Sequence, residues 1–338
     1  MPHPLATSVT ALSWPWDSPP PSLTASLASR LSEQFGAGPA YLLIDPDHGD
    51  PPGVELDESA GAAFGDGVRH AREAVWQRPV HTLHSSEYRR FTEVNFPYLV
   101  QFNEGNDPWL TTSIEWAVQE HLNACAIGTG VYRIGGWVRP HGERSGHALA
   151  RQLALLMHFR GSDGSPGLAR LQDRRVLHLL HQRAGIDWSS GLKGVERWCY
   201  LDHNLVLQTL QGAPGVPGFQ ALPAAAVHSG LLDRSMAVNL AVARWLRSAF
   251  PLPENALALV LDKVRIAGQR GVRHAQDQGA YAAEALIDPA FEHWPDLDRL
   301  IKTVARFHQR LSDGMDLHRP EWTGKPPDHW RRPEERPA

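Results

Sequence analysis

A chain of 338 residues is long enough for one large domain or two of ordinary size, and it can bury a substantial core without disulfide or metal staples. Hydrophobic residues at 42% and charged residues at 21%, with no apolar run of about eighteen residues, exclude a disordered chain and a membrane-crossing helix. A net charge of −4 with the 18 histidines neutral leaves no electrostatic footprint for nucleic acid and no basic face for anionic lipid, so neither is expected as a partner.

The N-terminus, MPHPLATSVTALSWPWDSPPPS, lacks a basic region and its apolar residues are broken by Pro and Trp. That pattern argues against a secretory signal and for a cytoplasmic protein. Cys125 and Cys199 are far apart and have no CxxC partner, which points to two buried free thiols and away from a zinc ribbon. The 12 tryptophans permit a binding role, although core packing accounts for most of them.

Residues 1–21 read as a loose Pro- and Ser-rich arm. Ser22 opens a helix whose apolar face is Leu23, Leu27, Leu31 and Phe35, closed by Gly36. AYLLI at 40–44 is a buried strand ended by Asp45-Pro46. The loop DPDHGDPPG that follows lacks the oxygen cadence of a calcium site. Residues 66–76 form a helix and 79–83 a strand on which His81 and His84 face opposite ways. The apolar run FPYLVQF at 96–102 is a strand, and Asp107-Pro108 caps a helix bearing Leu110, Ile114 and Leu122, with Trp109 and Trp116 flanking that face. A strand over 131–138 bends at Gly135 and Gly136. A helix over 145–159 carries Leu149, Leu153, Leu156 and Phe159 on one side, and the turn GSDGSPG follows it.

The most ordered stretch is 163–180, DGSPGLARLQDRRVLHLL. Residues 167–171 form a strand, Asp173 an N-cap, and Val176, Leu177 and Leu180 the buried face of a helix. His178 and His181, three apart without a third ligand, are surface or boundary residues. Residues 195–210 supply one or two further strands. The alternation of elements through residues 22–211 defines an α/β (α+β) lobe. The Gly- and Pro-rich stretch 212–230 is a linker, four helical segments over 231–311 form a smaller all-helical lobe, and 312–338 is a disordered tail.

No catalytic or cofactor motif is complete. Neither Ser162 nor Ser165 has the flanking glycines of a nucleophile elbow, and phosphate-loop, dinucleotide, HExxH and kinase signatures are absent from the sequence. Asp173, Glu196 and Asp202 are available carboxylates whose separation only the fold decides.

Several patches resemble the Tap-type effector adaptor and chaperone family of bacterial type VI secretion. They are LLIDP at 42–46 with Asp45, FPYLV at 96–100 with Pro97 and Tyr98, Trp116 in the following helix, HALARQL then Asp163-Gly164, and ARLQDRRVL at 169–177. Arg170, Asp173, Arg175, Val176 and Leu177 match the family form, whereas Ala169, Leu171 and Gln172 replace aromatic residues and Arg174 replaces the usual proline. The segment 267–301 is similar to the family's helical end. The resemblance implies a non-catalytic cytoplasmic protein, without cofactor or metal, that binds a toxic effector protein and helps load it onto the VgrG spike. Asp45, Pro97, Tyr98, Arg170, Asp173 and Arg175 are then structural signature residues, with Arg170 and Arg175 in ion pairs. The alternatives are a hydrolase whose site assembles only in the fold, or a structural secretion component. A deep pocket joining Asp173 or His178 to a second buried titratable group favours the hydrolase.

Overall fold

The computed structural model describes residues 19–36, 38–54, 56, 66–84, 93–102, 107–127, 130–160, 166–184, 188–215, 230–307 and 311. The N-terminal arm over 1–18, the turn at 161–165, most of the expected linker (216–229) and the tail over 312–338 lie outside the described residues.

The chain opens with α1 (Pro21–Phe35), which starts on Pro21 and buries Leu27, Leu31 and Phe35 at the spacing of four that its sequence repeats. β1 (Ala40–Ile44), α2 (Asp66–Trp76), β2 (Val80–Thr82) and β3 (Tyr98–Phe102) follow. α3 (Pro108–Ile127) begins where Asp107 accepts from the Trp109 amide at 3.0 Å, with proline at the first helical position. β4 (Ile134–Pro140) leads to α4 (Gly146–Leu156), capped by Ser145. That helix stops at Leu156, and Phe159 belongs instead to β5 (His158–Arg160), which pairs with β6 (Pro166–Leu168) in a separate two-stranded hairpin. The expected strand over 167–171 is therefore shorter, and Leu171 lies in the turn before α5 (Arg174–Arg183). α6 (Trp188–Gly191), β7 (Val195–Leu201) and β8 (Leu207–Gln211) complete this part. Four more helices close the chain: α7 (Leu231–Leu246), α8 (Ala256–Gln269), α9 (Ala275–Ile287) and α10 (Leu297–Phe307).

The protein is mixed α/β. Six strands make an antiparallel sheet in the order β2-β3-β1-β4-β7-β8. Side chains alternate across it as the period of two requires. Leu42, Ile44, Tyr98, Val100, Cys199 and Leu201 pack on one face with α1 and α3. Tyr41, Leu43, Leu99, Trp198 and Tyr200 pack on the other with α4 and α5. β1 is buried at all five positions because both faces are covered, which explains its unbroken apolar sequence.

The second apolar cluster does not stop at the sheet. It continues through Leu177 and Leu180 of α5 to Val238 and Val242 of α7, Val260 of α8 and Ala283 of α9. The α7–α9 contact is close, since a Cβ on Gly279 would meet the Ala237 carbonyl at 2.8 Å. On α7 the large Met236 is 57% exposed, and the small residues Ala237 and Ala241 are buried. Among the described residues no helix is long and apolar enough to cross a membrane.

Candidate functional site

The signature residues gather at one end of the sheet. The register places Ile44 opposite Tyr98, so Asp45, one residue past β1, lies beside the start of β3. Asp45 is 3% exposed and accepts from Arg170 Nη2 at 2.8 Å, while Arg170 Nη1 reaches Asp47 at 2.9 Å. Burial lifts the Asp45 carboxyl above its usual range, and the guanidinium offsets only part of that because Arg170 is itself half in solvent. Tyr98 donates to Asp50 at 2.5 Å beneath the Arg72 guanidinium, 4.0 Å from the ring centroid. Pro97 contributes its carbonyl to the Leu83 amide at 2.8 Å.

Asp173 caps α5 as its position before an apolar-periodic run requires, accepting from the Arg175 amide at 3.0 Å. It also holds the Arg175 side chain through Nε at 2.9 Å and Nη2 at 2.7 Å. Burial alone would raise the Asp173 carboxyl, but the Arg175 charge and these donors outweigh it and hold it below the usual carboxylate range.

Arg175 also faces a pocket that lies where α3, α5 and the end of β7 meet α7 and α8. The pocket encloses about 420 Å³ of empty space, its mouth included. Its polar wall is His121, Tyr132, Arg174, Arg175, His178, Asp202, His203 and Asn239, and its apolar wall includes Val242, Ala243, Leu246 and Leu257. Of the signature residues only Arg175 lines it. Asp45, Pro97, Tyr98, Arg170 and Asp173 stand outside the lining.

Tyr132 organises one half. Its ring lies between two guanidinium groups, 4.8 Å from Arg174 and 4.2 Å from Arg175, and its hydroxyl meets His121 Nδ1 at 3.1 Å. The other ring nitrogen of His121 lies 3.5 Å from the Cys125 thiol, which burial pushes up to about 12. Such a thiol is a packed hydrophobe and not a nucleophile at neutral pH. Tyr200 organises the other half, with its hydroxyl 3.1 Å from His178 Nδ1 and 2.7 Å from His181 Nδ1. One hydroxyl has one proton to give, so one of the two imidazoles receives it and the other donates its own Nδ1 proton. The His178 and His203 rings are 5.1 Å apart. Burial, reinforced by neighbouring positive charge or imidazole, pushes His121 and His178 down to about 3, so both are neutral across the physiological range. Burial also lowers His203.

His178 is thus buried, contrary to the expectation of a surface or boundary residue, whereas His181 lies half-buried at the boundary as expected, and the two share the Tyr200 hydroxyl. The residues that sequence reasoning missed, His121, Tyr132, Arg174 and His203, lie on four separate segments with no shared motif. Arg174 fills the first helical position of α5 at 2% exposure and donates to the Ala117 carbonyl of α3 at 2.5 Å. It forms no ion pair among the described residues, and its Nη1 has no hydrogen-bond partner there. Glu120 of α3 bears on it, and burial pushes that carboxyl up to about 7 against the pull of Arg174. Both other acids near the pocket are occupied: Asp173 by Arg175, and Asp202 by the amides of Asn204 and Val206 and by Gln208.

No group of three or more His, Cys, Asp or Glu able to hold a metal ion occurs among the described residues. Comparison of the chain with family models, with curated proteins and with solved structures found no match in any of the three.

Proposed function

We propose that this chain is a non-catalytic adaptor and chaperone of type VI secretion, which binds a toxic effector protein in the bacterial cytoplasm and presents it to the VgrG spike. The observation that carries the reading is the meeting of Asp45 with Arg170 at 2.8 Å. These residues come from two patches on which the family resemblance rests, and their contact supports treating the patches as parts of one fold signature. On this reading residues 22–211 form a sheet-bearing lobe and 231–311 a helical lobe, and the signature residues are architectural. Binding is stoichiometric, through surfaces away from the signature. Pull-down of the full chain with a co-encoded effector and with the spike tail tests it. Retention of both supports the adaptor, assembly with sheath or baseplate and not with cargo supports a structural component, and retention of neither refutes the adaptor.

One observation favours a second reading, a hydrolase: His178 meets His203 and Tyr200 in a pocket. It ranks second because a general base works best with a pKa near the operating pH, and burial pushes His178 down to about 3. Turnover of ester or glycoside substrates that is abolished by His178→Asn, with the fold intact, supports the hydrolase over the adaptor.

A further inference from the structure

We propose that the pocket between α5 and α7 takes a small organic anion, a carboxylate carried on a short apolar body, with Arg174 and His203 holding the carboxylate and Val242, Leu246 and Leu257 covering the body. The proposal is independent of the adaptor reading, because it concerns the chain alone. A guanidinium that is 2% exposed and forms no ion pair among the described residues is a charge withdrawn from water, compensated only by the Ala117 carbonyl, the Tyr132 ring and the more distant Glu120. Its Nη1 is buried with no acceptor, and the pocket it lines is the space from which one can come. His203 adds two buried ring nitrogens, neither with a hydrogen-bond partner among the described residues. Neutral imidazole carries one N–H, so His203 supplies a second donor.

The charge ledger selects the ligand. Arg175 is matched by Asp173, and the Asp202 carboxylate is turned toward its own loop. Glu120 bears on Arg174 but makes no ion pair with it, since its Oε2 accepts from the Ile134 amide and its Oε1 faces the Arg133 Nη1 at 3.9 Å. One guanidinium is left over. A cation would be repelled and a neutral acceptor would pair Nη1 but leave the charge without a counter-ion, whereas a phosphate dianion brings a second charge that nothing meets. A monoanionic carboxylate satisfies the fork, and the apolar wall opposite fits a hydrocarbon body. The carboxylate can belong to a free acid or to the C-terminus of a peptide.

Calorimetric titration of the full chain separates these cases. The probes are hexanoate, 1-hexanol, inorganic phosphate, and the tripeptide Ala-Leu-Leu with a free or an amidated C-terminus. The expected result is one-site binding of hexanoate, of the free tripeptide, or of both. That affinity falls roughly tenfold or more in Arg174→Gln, falls in His203→Ala, and is lost in Ala243→Phe, which fills the pocket. Hexanoate alone assigns a free acid, and the free tripeptide without its amide assigns a chain end. Should Arg174→Gln fail to fold, His203→Ala carries the test, because that ring makes no hydrogen bond among the described residues. The proposal is overturned if neither carboxylate gives saturable heat, if 1-hexanol or the amide binds as tightly, if phosphate alone binds, or if His203→Ala and Ala243→Phe leave the affinity unchanged.

Discussion

Asp45 and Arg170, separated by 125 positions in sequence, form a 2.8 Å ion pair that ties the end of β1 to the turn before α5. The pair is asymmetric, with Asp45 buried and the Arg170 side chain 42% exposed. Removing the guanidinium strands a buried carboxylate, but solvent at Arg170 discounts the loss to about 1 kcal/mol. Asp45→Asn should cost little, because the folded chain already raises that carboxyl: the raised group favours folding at low pH and that increment fades as pH rises through its folded pKa. Urea melts of Asp45→Asn, Arg170→Met and the double variant should give a favourable coupling of about 0.5–1 kcal/mol. A coupling of zero would assign Arg170 to Asp47 alone.

Asp173 behaves in the opposite sense. Its folded carboxyl lies below the usual range, so its stabilisation is complete above the unfolded value near about 4 and is lost as pH falls through the folded pKa. Asn retains the capping oxygen but not the charge pair with Arg175, so Asp173→Asn should lower stability by about 1–2 kcal/mol at pH 7. The difference between the two proteins should shrink as the pH drops below about 4. A gap that persists unchanged in acid would show that the cap, and not the ion pair, is what asparagine disturbs.

Local signals made some of this legible in the sequence and left the rest out of reach. AYLLI, the Asp107-Pro108 start of α3 and the Asp173 cap were readable because each depends on residues within one turn or one strand. The end of α4 was not. Leu149, Leu153 and Leu156 extend naturally to Phe159, yet pairing with residues 166–168 takes Phe159 into a hairpin. The buried face of α7 depends on a tertiary contact in the same way: close packing against Gly279 buries the small Ala237 and Ala241 while the larger Met236 stays exposed. The pocket left no trace in sequence, because His121, Arg174 and His203 converge only through the crossing of α3, α5 and β7. Arg174 was the nearest to a signal, as the residue standing where the family form has proline.

The buried histidines make the fold sensitive to mild acid. His121 and His178 have folded pKa values of about 3, below the unfolded value of about 6.5. A depressed histidine stabilises fully above its unfolded pKa and loses that increment as pH falls toward the folded value. Stability should therefore decline from about pH 6.5 downward, with net proton uptake on unfolding. Tyr200→Phe deprives both His178 and His181 of their hydroxyl partner and should cost about 1–3 kcal/mol at neutral pH. Thermal melts across pH 4–8 check both statements, and a flat profile above pH 5 would contradict the first.

Gly135 and Gly136 bring three segments into contact. A Cβ at Gly135 would lie 2.5 Å from the Gln172 carbonyl, and one at Gly136, where φ is +132°, would run into the Cys199 carbonyl. Gly135→Ala should therefore destabilise by about 2–3 kcal/mol, since the neighbour is backbone and cannot rotate away. A urea midpoint equal to wild type would mean that the turn before α5 is free to withdraw.

The adaptor reading is tested most directly by the mass of the species formed when the purified full chain is mixed with its co-encoded effector, measured by light scattering after size exclusion. The expected result is a single peak whose mass is the sum of the two chains in fixed stoichiometry, formed equally well by His178→Asn. Two peaks at the separate masses, or a complex that dissolves as the effector is chemically turned over, would contradict a stoichiometric, non-catalytic binder.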